Sequence, residues 1–348
     1  MWSFRAPQIL ARSRAAVQRS CSRRPSSSPS SLYLSRRHAS SDSTNITRIG
    51  FIGLGNMGLP MALNLSKESS VLAFDTNPVA CDTAAQGGIE LADSVQHIGA
   101  SDCHVIFTML PSCSVVDSVM QSLLESIPES SLSRVMVDCS TVSPSTSRRW
   151  HDTWKSQGHA MLDAPVSGGV KGATDGTLTF MVGCDHDDAL QRAQPFLNNM
   201  GQRVVPCGGP GAGAATKLCN NLALAAQMIG ICEAMNLGEA LDVDPVVLAE
   251  VINTSTAKCW SSEVSNPHPA VAAAKAASGV DSPASRDYEG GFGVALMLKD
   301  LGLAVASAQD AGVALPMTAT SKELYKMTEL RGAGHKDFGY MLQFLKGK

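Results

Sequence analysis

Apolar positions along this chain come in two textures that change near residue 210. Before it they form short runs, each closing on small or polar residues: Arg48-Ile-Gly-Phe-Ile52, Val71-Leu-Ala-Phe-Asp75, Val105-Ile-Phe-Thr-Met-Leu-Pro111 and Arg134-Val-Met-Val-Asp-Cys-Ser-Thr141. Runs of this length that are apolar throughout read as strands, and the stretches between them as helices. Together they predict a parallel sheet covered on both faces. Further strands are expected at Ala160–Asp163, Thr177–Val182 and Arg203–Pro206, with a helix over Asp187–Asn198.

From Pro210 onward the texture is helical. Gly211 to Leu241 is one apolar stretch seeded with small residues. As a helix it would run roughly 45 Å, and being apolar nearly all round it belongs at the centre of its domain or in a subunit interface. Asp244-Pro245 reads as an N-cap followed by a first-turn proline. Residues 260–290 are rich in Pro, Ser, Gly and Ala and read as a long loop or insertion. Gly293–Ala311 and Leu315–Leu330 are further helices, and a short one over Asp337–Leu345 ends the chain.

The first strand runs into Gly53-Leu-Gly-Asn-Met-Gly58 and then an amphipathic stretch. Gly53 permits a sharp exit from the strand, Gly55 lets backbone approach a pyrophosphate, and Gly58 allows close helix packing. The free N–H groups at the helix start then face the phosphates. Asp75 ends the next strand, about 20 residues on, where a carboxylate accepts from the adenosine ribose hydroxyls. Thr76-Asn-Pro78 supplies no arginine for a 2′-phosphate, so NAD is favoured over NADP. The expected architecture is an α/β Rossmann-type dinucleotide-binding domain over residues 47–210, then an all-α domain built around long helices over 211–348.

Charge adds a third segment. Residues 1–41 carry eight Arg, many Ser, and no Asp, Glu or Lys. Such a leader reads as a mitochondrial transit peptide, disordered over residues 1–44; the alternative is a basic arm for nucleic acid. Removing those arginines leaves 28 − 8 = 20 basic against 31 acidic residues, a net −11. A body that acidic has no general attraction for polyphosphate, so no nucleic-acid partner is expected. No uninterrupted apolar run reaches the roughly 18 residues that span a bilayer, and no membrane partner is expected. The ten cysteines are scattered singly, without C-x-x-C, which suits reduced thiols and suggests no structural metal.

Ligands of an open α/β sheet collect at the carboxyl ends of its strands. Leu110 and Pro111 on one strand and Thr141 on another end there, beside the nicotinamide half, unless each is an ordinary strand exit. The glycine-rich stretch Ala164–Ala173, with Ser167, offers consecutive N–H groups for a substrate carboxylate or forms a plain loop. Lys217 and Asn221, four apart, share a face near the start of the long helix. With no ligand set for zinc, a side chain must take the alcohol proton. Lys217 is the candidate base if burial beside another cation, Lys299, lowers its pKa; otherwise it is a surface lysine.

Four segments resemble the β-hydroxyacid dehydrogenases in the family's order: Gly53-Leu-Gly-Asn-Met-Gly58, Asp163-Ala-Pro-Val-Ser-Gly-Gly169, Gly211-x-Gly213-x-x-x-Lys217-x-x-x-Asn221, and Phe292-(x6)-Lys299-Asp300. The resemblance spans about residues 47 to 345. It implies that Lys217 is the catalytic acid–base, that Asn221 holds substrate, and that Ser167, Gly168 and Gly169 bind its carboxylate. NAD would be contacted by Gly53, Leu54, Gly55, Asn56, Met57, Gly58, Asp75, Leu110, Pro111, Thr141, Phe292 and Lys299. Cys259-Trp-Ser-Ser262 with Asn266-Pro-x-Pro269 resembles the branch that oxidises 3-hydroxyisobutyrate to methylmalonate semialdehyde in valine breakdown. That implies a small β-hydroxy acid substrate, the mitochondrial matrix, and a homodimer or homotetramer.

Two departures qualify the likeness. Ala270–Arg286 is longer and richer in alanine than the family's usual connection. Asn220 stands where decarboxylating phosphogluconate relatives carry His, so decarboxylation is not expected. The alternative functions are an NAD(P)H-dependent reductase of another small semialdehyde, or an inactive dinucleotide-binding scaffold. The presence of Lys217 and Asn221 argues against the scaffold.

Overall fold

The structure is a computed structural model and describes residues 48–129, 132–185, 187–277, 279 and 281–348. The expected leader over 1–44 lies outside the described residues. Among the described residues nine strands form one sheet: β1 Arg48–Ile52, β2 Ser70–Phe74, β3 Glu90–Leu91, β4 Val105–Thr108, β5 Val135–Asp138, β6 Ala160–Asp163, β7 Val166–Ser167, β8 Leu178–Gly183 and β9 Gly201–Gly208. From β3 to β6 the order is β3-β2-β1-β4-β5-β6, all parallel. The direction of winding reverses between β1 and β4, which opens a crevice at their carboxyl ends.

Strand side chains alternate between two cores. Ile49, Phe51, Val105, Phe107, Val135 and Val137 face one, while Ile52, Ile106, Met136 and Met161 face the other with Trp150 and Trp154. Two buried faces explain why these strands read as solid apolar runs. Parallel pairing, expected for the runs up to residue 141, holds from β3 to β6, and the sheet becomes mixed beyond β6. There β8 runs antiparallel to both β6 and β7, then pairs in parallel with β9.

Glycine-rich Ala164–Ala173 is also more ordered than a plain loop. It contains β7 and the start of the helix Gly169–Asp175, entered through left-handed backbone at Gly168 (φ +137°) and Gly169 (φ +63°). That helix is tied to the helix following the glycine turn, Gly58–Ser66. Buried Asn64 donates to the carbonyls of Ala173 (2.7 Å) and Thr174 (3.3 Å), and Lys67 donates to its Oδ1.

The second half is built on the helix Ala212–Ala240. Met228, Cys232 and Met235 enter a core with Met297, Leu301, Tyr325, Phe338, Met341 and Leu342. Although the helix is apolar and long enough by composition to cross a bilayer, this face is inside the helical core. It is not buried all round, since Leu237 is 61% exposed.

Residues 260–290 are a correction. Instead of one long loop they hold helices Trp260–Glu263 and Pro269–Ala276 and a 3-10 turn at Pro283–Arg286. His268 caps the second through Ala270 N, Pro269 occupies its first turn, and alanines propagate it.

Replacing Asn64 by Ala would orphan the Ala173 carbonyl in a buried position. A loss of about 1–3 kcal/mol is expected, read as a lower urea midpoint at unchanged slope; an unchanged midpoint would contradict it.

Candidate active site

The glycine turn sits at the crevice. Gly53 (φ +98°) leaves β1 so close to β4 that a Cβ there would lie 2.3 Å from the Met109 carbonyl. A Cβ on Gly58 would meet the Gly53 carbonyl at 1.8 Å, so the helix can start here only from glycine. Gly55 faces open space, with Asn56 exposed and Met57 half-buried beside it. No side chain caps this helix and its first turn carries no acidic residue. Leu59 N–H is taken by the Gly55 carbonyl at 3.0 Å and Pro60 has none, so the donors for a pyrophosphate are Gly58 N–H and the amides of the turn before it.

Leu54 is used differently from its neighbours. Its side chain is buried in the sheet core, and its N–H donates to Asp75 Oδ2 at 2.6 Å. The other Asp75 oxygen accepts from Asn77 N at 2.7 Å. The half-buried carboxylate is thus fixed at the end of β2, and each oxygen retains a lone pair for a ribose hydroxyl. Glycine turn and carboxylate fit the adenosine half of NAD.

The ends of β4 and β5 are joined by Asp138. Its Oδ1 accepts from Thr108 Oγ1 (2.8 Å) and Ser140 N (3.0 Å), while Ser140 Oγ accepts from Leu110 N (2.9 Å). Burial pushes the Asp138 carboxyl up to about 6 despite these donors. One acid therefore sets the backbone of Leu110-Pro111 and the approach to Thr141.

From the helical half, Lys299 donates to the Thr141 carbonyl at 2.9 Å and lies 3.3 Å from Asp300 Oδ1. An ammonium has three donors, and only the Thr141 carbonyl takes one as a hydrogen bond, which leaves two for a cofactor or substrate oxygen. Asp300, 3% exposed, accepts from Asn221 Nδ2 at 2.6 Å, and Asn221 Oδ1 accepts from Asn220 Nδ2 at 3.0 Å. Asn221 retains one free N–H. Lys217, 8% exposed, has its pKa lowered by burial, opposed by the Asp300 charge and helped by Lys299.

Part of the expected set meets here. Lys217, Asn221, Lys299 and Thr141 are linked through Asp300 and the Lys299 bridge. Ser167 is half-buried and extends from β6 by way of β7. Phe292 is half-buried: its ring meets Phe338 edge-on at 6.0 Å and its N–H donates to Asp337 Oδ2. Among the described residues no three His, Cys, Asp or Glu side chains converge as a metal site. Spacing in the sequence does not mark Asp300, Asp138 or Asp163 as site residues. The available signal was a carboxylate closing an apolar strand, at Val135-Met-Val-Asp138 and Ala160-Met-Leu-Asp163.

Residues 48–209 match the family described as the NAD binding domain of 6-phosphogluconate dehydrogenase. Residues 211–345 match NAD-binding of NADP-dependent 3-hydroxyisobutyrate dehydrogenase. The chain is 41% identical to mitochondrial 3-hydroxyisobutyrate dehydrogenase of Homo sapiens, covering 86% of this chain and 87% of the relative. It is also 41% identical to an NAD-dependent L-serine dehydrogenase of Pseudomonas aeruginosa, over 84% and 95%. Among solved structures, Mycobacterium tuberculosis 3-hydroxyisobutyrate dehydrogenase with L-serine aligns at TM-score 0.79 and 38% identity, covering 86% of this chain and 99% of that one.

The Asp300 charge holds the Lys217 pKa up, so Asp300→Asn, which keeps an acceptor for Asn221, is expected to lower it. Acetylation of Lys217 followed by mass spectrometry across pH would then show its midpoint moving to lower pH. A midpoint that stays or rises would overturn this electrostatic assignment.

Proposed function

The chain belongs to the 3-hydroxyisobutyrate dehydrogenase family of NAD-dependent hydroxyacid dehydrogenases, and from that premise we propose that it oxidises 3-hydroxyisobutyrate to methylmalonate semialdehyde, with Lys217 as acid–base. The observation that carries this reading is a buried Lys217 one helical turn before Asn221, which bonds Asp300, with the Asp300 and Lys299 charges acting on it and burial lowering its pKa. Bound NAD supplies the hydride acceptor. The neutral Lys217 amine removes the hydroxyl proton as the carbinol carbon gives up hydride. Asn221 uses its free N–H on a substrate oxygen, and Ser167 with the Gly168 and Gly169 N–H groups holds the carboxylate. Lys299 keeps the Thr141 backbone in place and offers a remaining donor to the cofactor. General acid–base transfer of this kind contributes about 10²–10⁴-fold.

L-serine is a second candidate substrate, also a β-hydroxy acid, because a relative of equal identity is named for it and a solved relative holds it. We place the activity in valine breakdown in the mitochondrial matrix, on the arginine-rich leader and on relatives named mitochondrial. Exposed Leu237, Leu241, Val246, Val247 and Val251 on the helical half support a homodimer or homotetramer.

NADH formation should be followed with 3-hydroxyisobutyrate, L-serine, 3-hydroxypropionate and phosphogluconate. The proposal expects 3-hydroxyisobutyrate to give the highest kcat/KM, with NAD used in preference to NADP. A clear preference for L-serine would move the assignment to the second candidate, and silence with NAD still bound would favour a scaffold. Lys217→Ala is expected to cost about 10²–10⁴-fold in kcat with NAD affinity intact; retained turnover would remove Lys217 from the acid–base role. Light scattering on the eluting protein should give a multiple of the chain mass, and a monomer at micromolar concentration would refute the oligomer.

A further inference from the structure

The long helix bearing Lys217 begins without a cap of its own. Its N-cap is Gly211, in left-handed backbone at φ +79°, where an added Cβ would come within 2.7 Å of the Pro144 carbonyl. Glycine is therefore enforced, and glycine has no side chain to accept the orphan N–H groups of a first turn. The acceptor comes instead from the end of β6. Asp163 Oδ1 accepts from Gly211 N and Oδ2 from Ala214 N, each at 2.8 Å. In a capping box the N-cap and N3 donors are satisfied by two local side chains. Here one distant carboxylate satisfies both.

The fit around that carboxylate is tight. A Cβ on Gly183 would lie 2.5 Å from Asp163 Oδ1, and one on Gly213 would lie 2.9 Å from Oδ2 and 2.2 Å from the Met181 carbonyl. The end of β6, the end of β8 and the first turn of the helix are thus packed against a single side chain, 1% exposed. Lys217 lies one turn further along the same helix. Asp163 also neighbours Asp138 in register across β5 and β6, beside the acid that sets Leu110 and the approach to Thr141.

We propose that Asp163 is a positioning residue for catalysis: by capping the Lys217 helix against the carboxyl end of β6 it sets the reach of Lys217 into the site. The inference rests on Lys217 as the acid–base group. Asp163 touches neither substrate nor cofactor, so its effect belongs in kcat rather than in NAD affinity.

Asp163→Asn keeps one acceptor and turns an N–H₂ against the other donor; Asp163→Ala removes both. In the full chain, below the melting temperature of every variant, kcat per folded enzyme should fall about tenfold for the first and about a hundredfold for the second, the scale of an ångström-sized misplacement. The Kd for NAD should stay within about twofold in both, because Asp163 makes no contact with the glycine turn or Asp75. Amide exchange at Gly211 and Ala214 should accelerate in the same order. A defect of stability alone would leave kcat per folded enzyme at the parent level, and that result overturns the proposal. So does a kcat loss that appears only with an equal loss of NAD affinity, or exchange that stays slow in Asp163→Ala. Should neither Asp163 variant fold, Gly213→Ala displaces the helix start with the carboxylate intact, and an unchanged kcat there is equally decisive. If Lys217→Ala keeps its turnover, the acid–base reading fails, whereas amide exchange still reports the cap.

Discussion

A buried carboxylate at the end of β6 determines where the helical half of the molecule starts. Asp163 takes two N–H groups that glycines at the helix start cannot satisfy, and neighbouring glycines leave the space it fills. Burial makes its charge costly and raises its pKa, while the backbone donors act against that rise. Much of the candidate site follows from this junction: the phase of the long helix decides which face Lys217 and Asn221 present, and Asp300 and Lys299 are arranged around that face.

The same device recurs along the sheet. Asp75 closes β2, Asp138 closes β5 and Asp163 closes β6, and each uses its oxygens on backbone that shapes the crevice. Strand-terminal carboxylates suit this work because parallel strands deliver their carboxyl ends to one edge. A short acid can reach an adjacent turn from there without entering the apolar layers. The three acids brace the glycine turn, the ends of β4 and β5, and the helix that carries Lys217.

How much of this was legible in the chain depended on the range of each interaction. Gly53, Gly55, Gly58 and Asp75 declare a dinucleotide turn because their spacing is local and each glycine answers a nearby steric demand. The solid apolar runs of β4, β5 and β6 declare two buried faces. The segment 260–290 misled because Pro, Ser and Gly suggested a loop, although His268-Pro269 before a run of alanines is a helix start. Gly168 and Gly169 suggested a loop for a similar reason, when their left-handed backbone opens a helix. The antiparallel turn into β7 and β8 left no signal in strands so short. The partnership of Asp163 with Gly211 and of Lys299 with Thr141 could not be read from spacing, because both pairs meet only after the sheet and the helices are assembled.

On the proposed placement of NAD, Asp75 ties coenzyme choice to backbone geometry. A protein engineer seeking an NADP-using form would exchange this acid for a neutral or basic residue to admit a phosphate on the ribose. The same exchange withdraws the acceptor of the Leu54 N–H, inside the turn that cradles the pyrophosphate. Selectivity and the shape of the phosphate cradle are therefore not independent settings in this molecule. A successful conversion needs a second substitution that returns an acceptor to Leu54, and libraries confined to the ribose-facing position would sample mostly loosened turns.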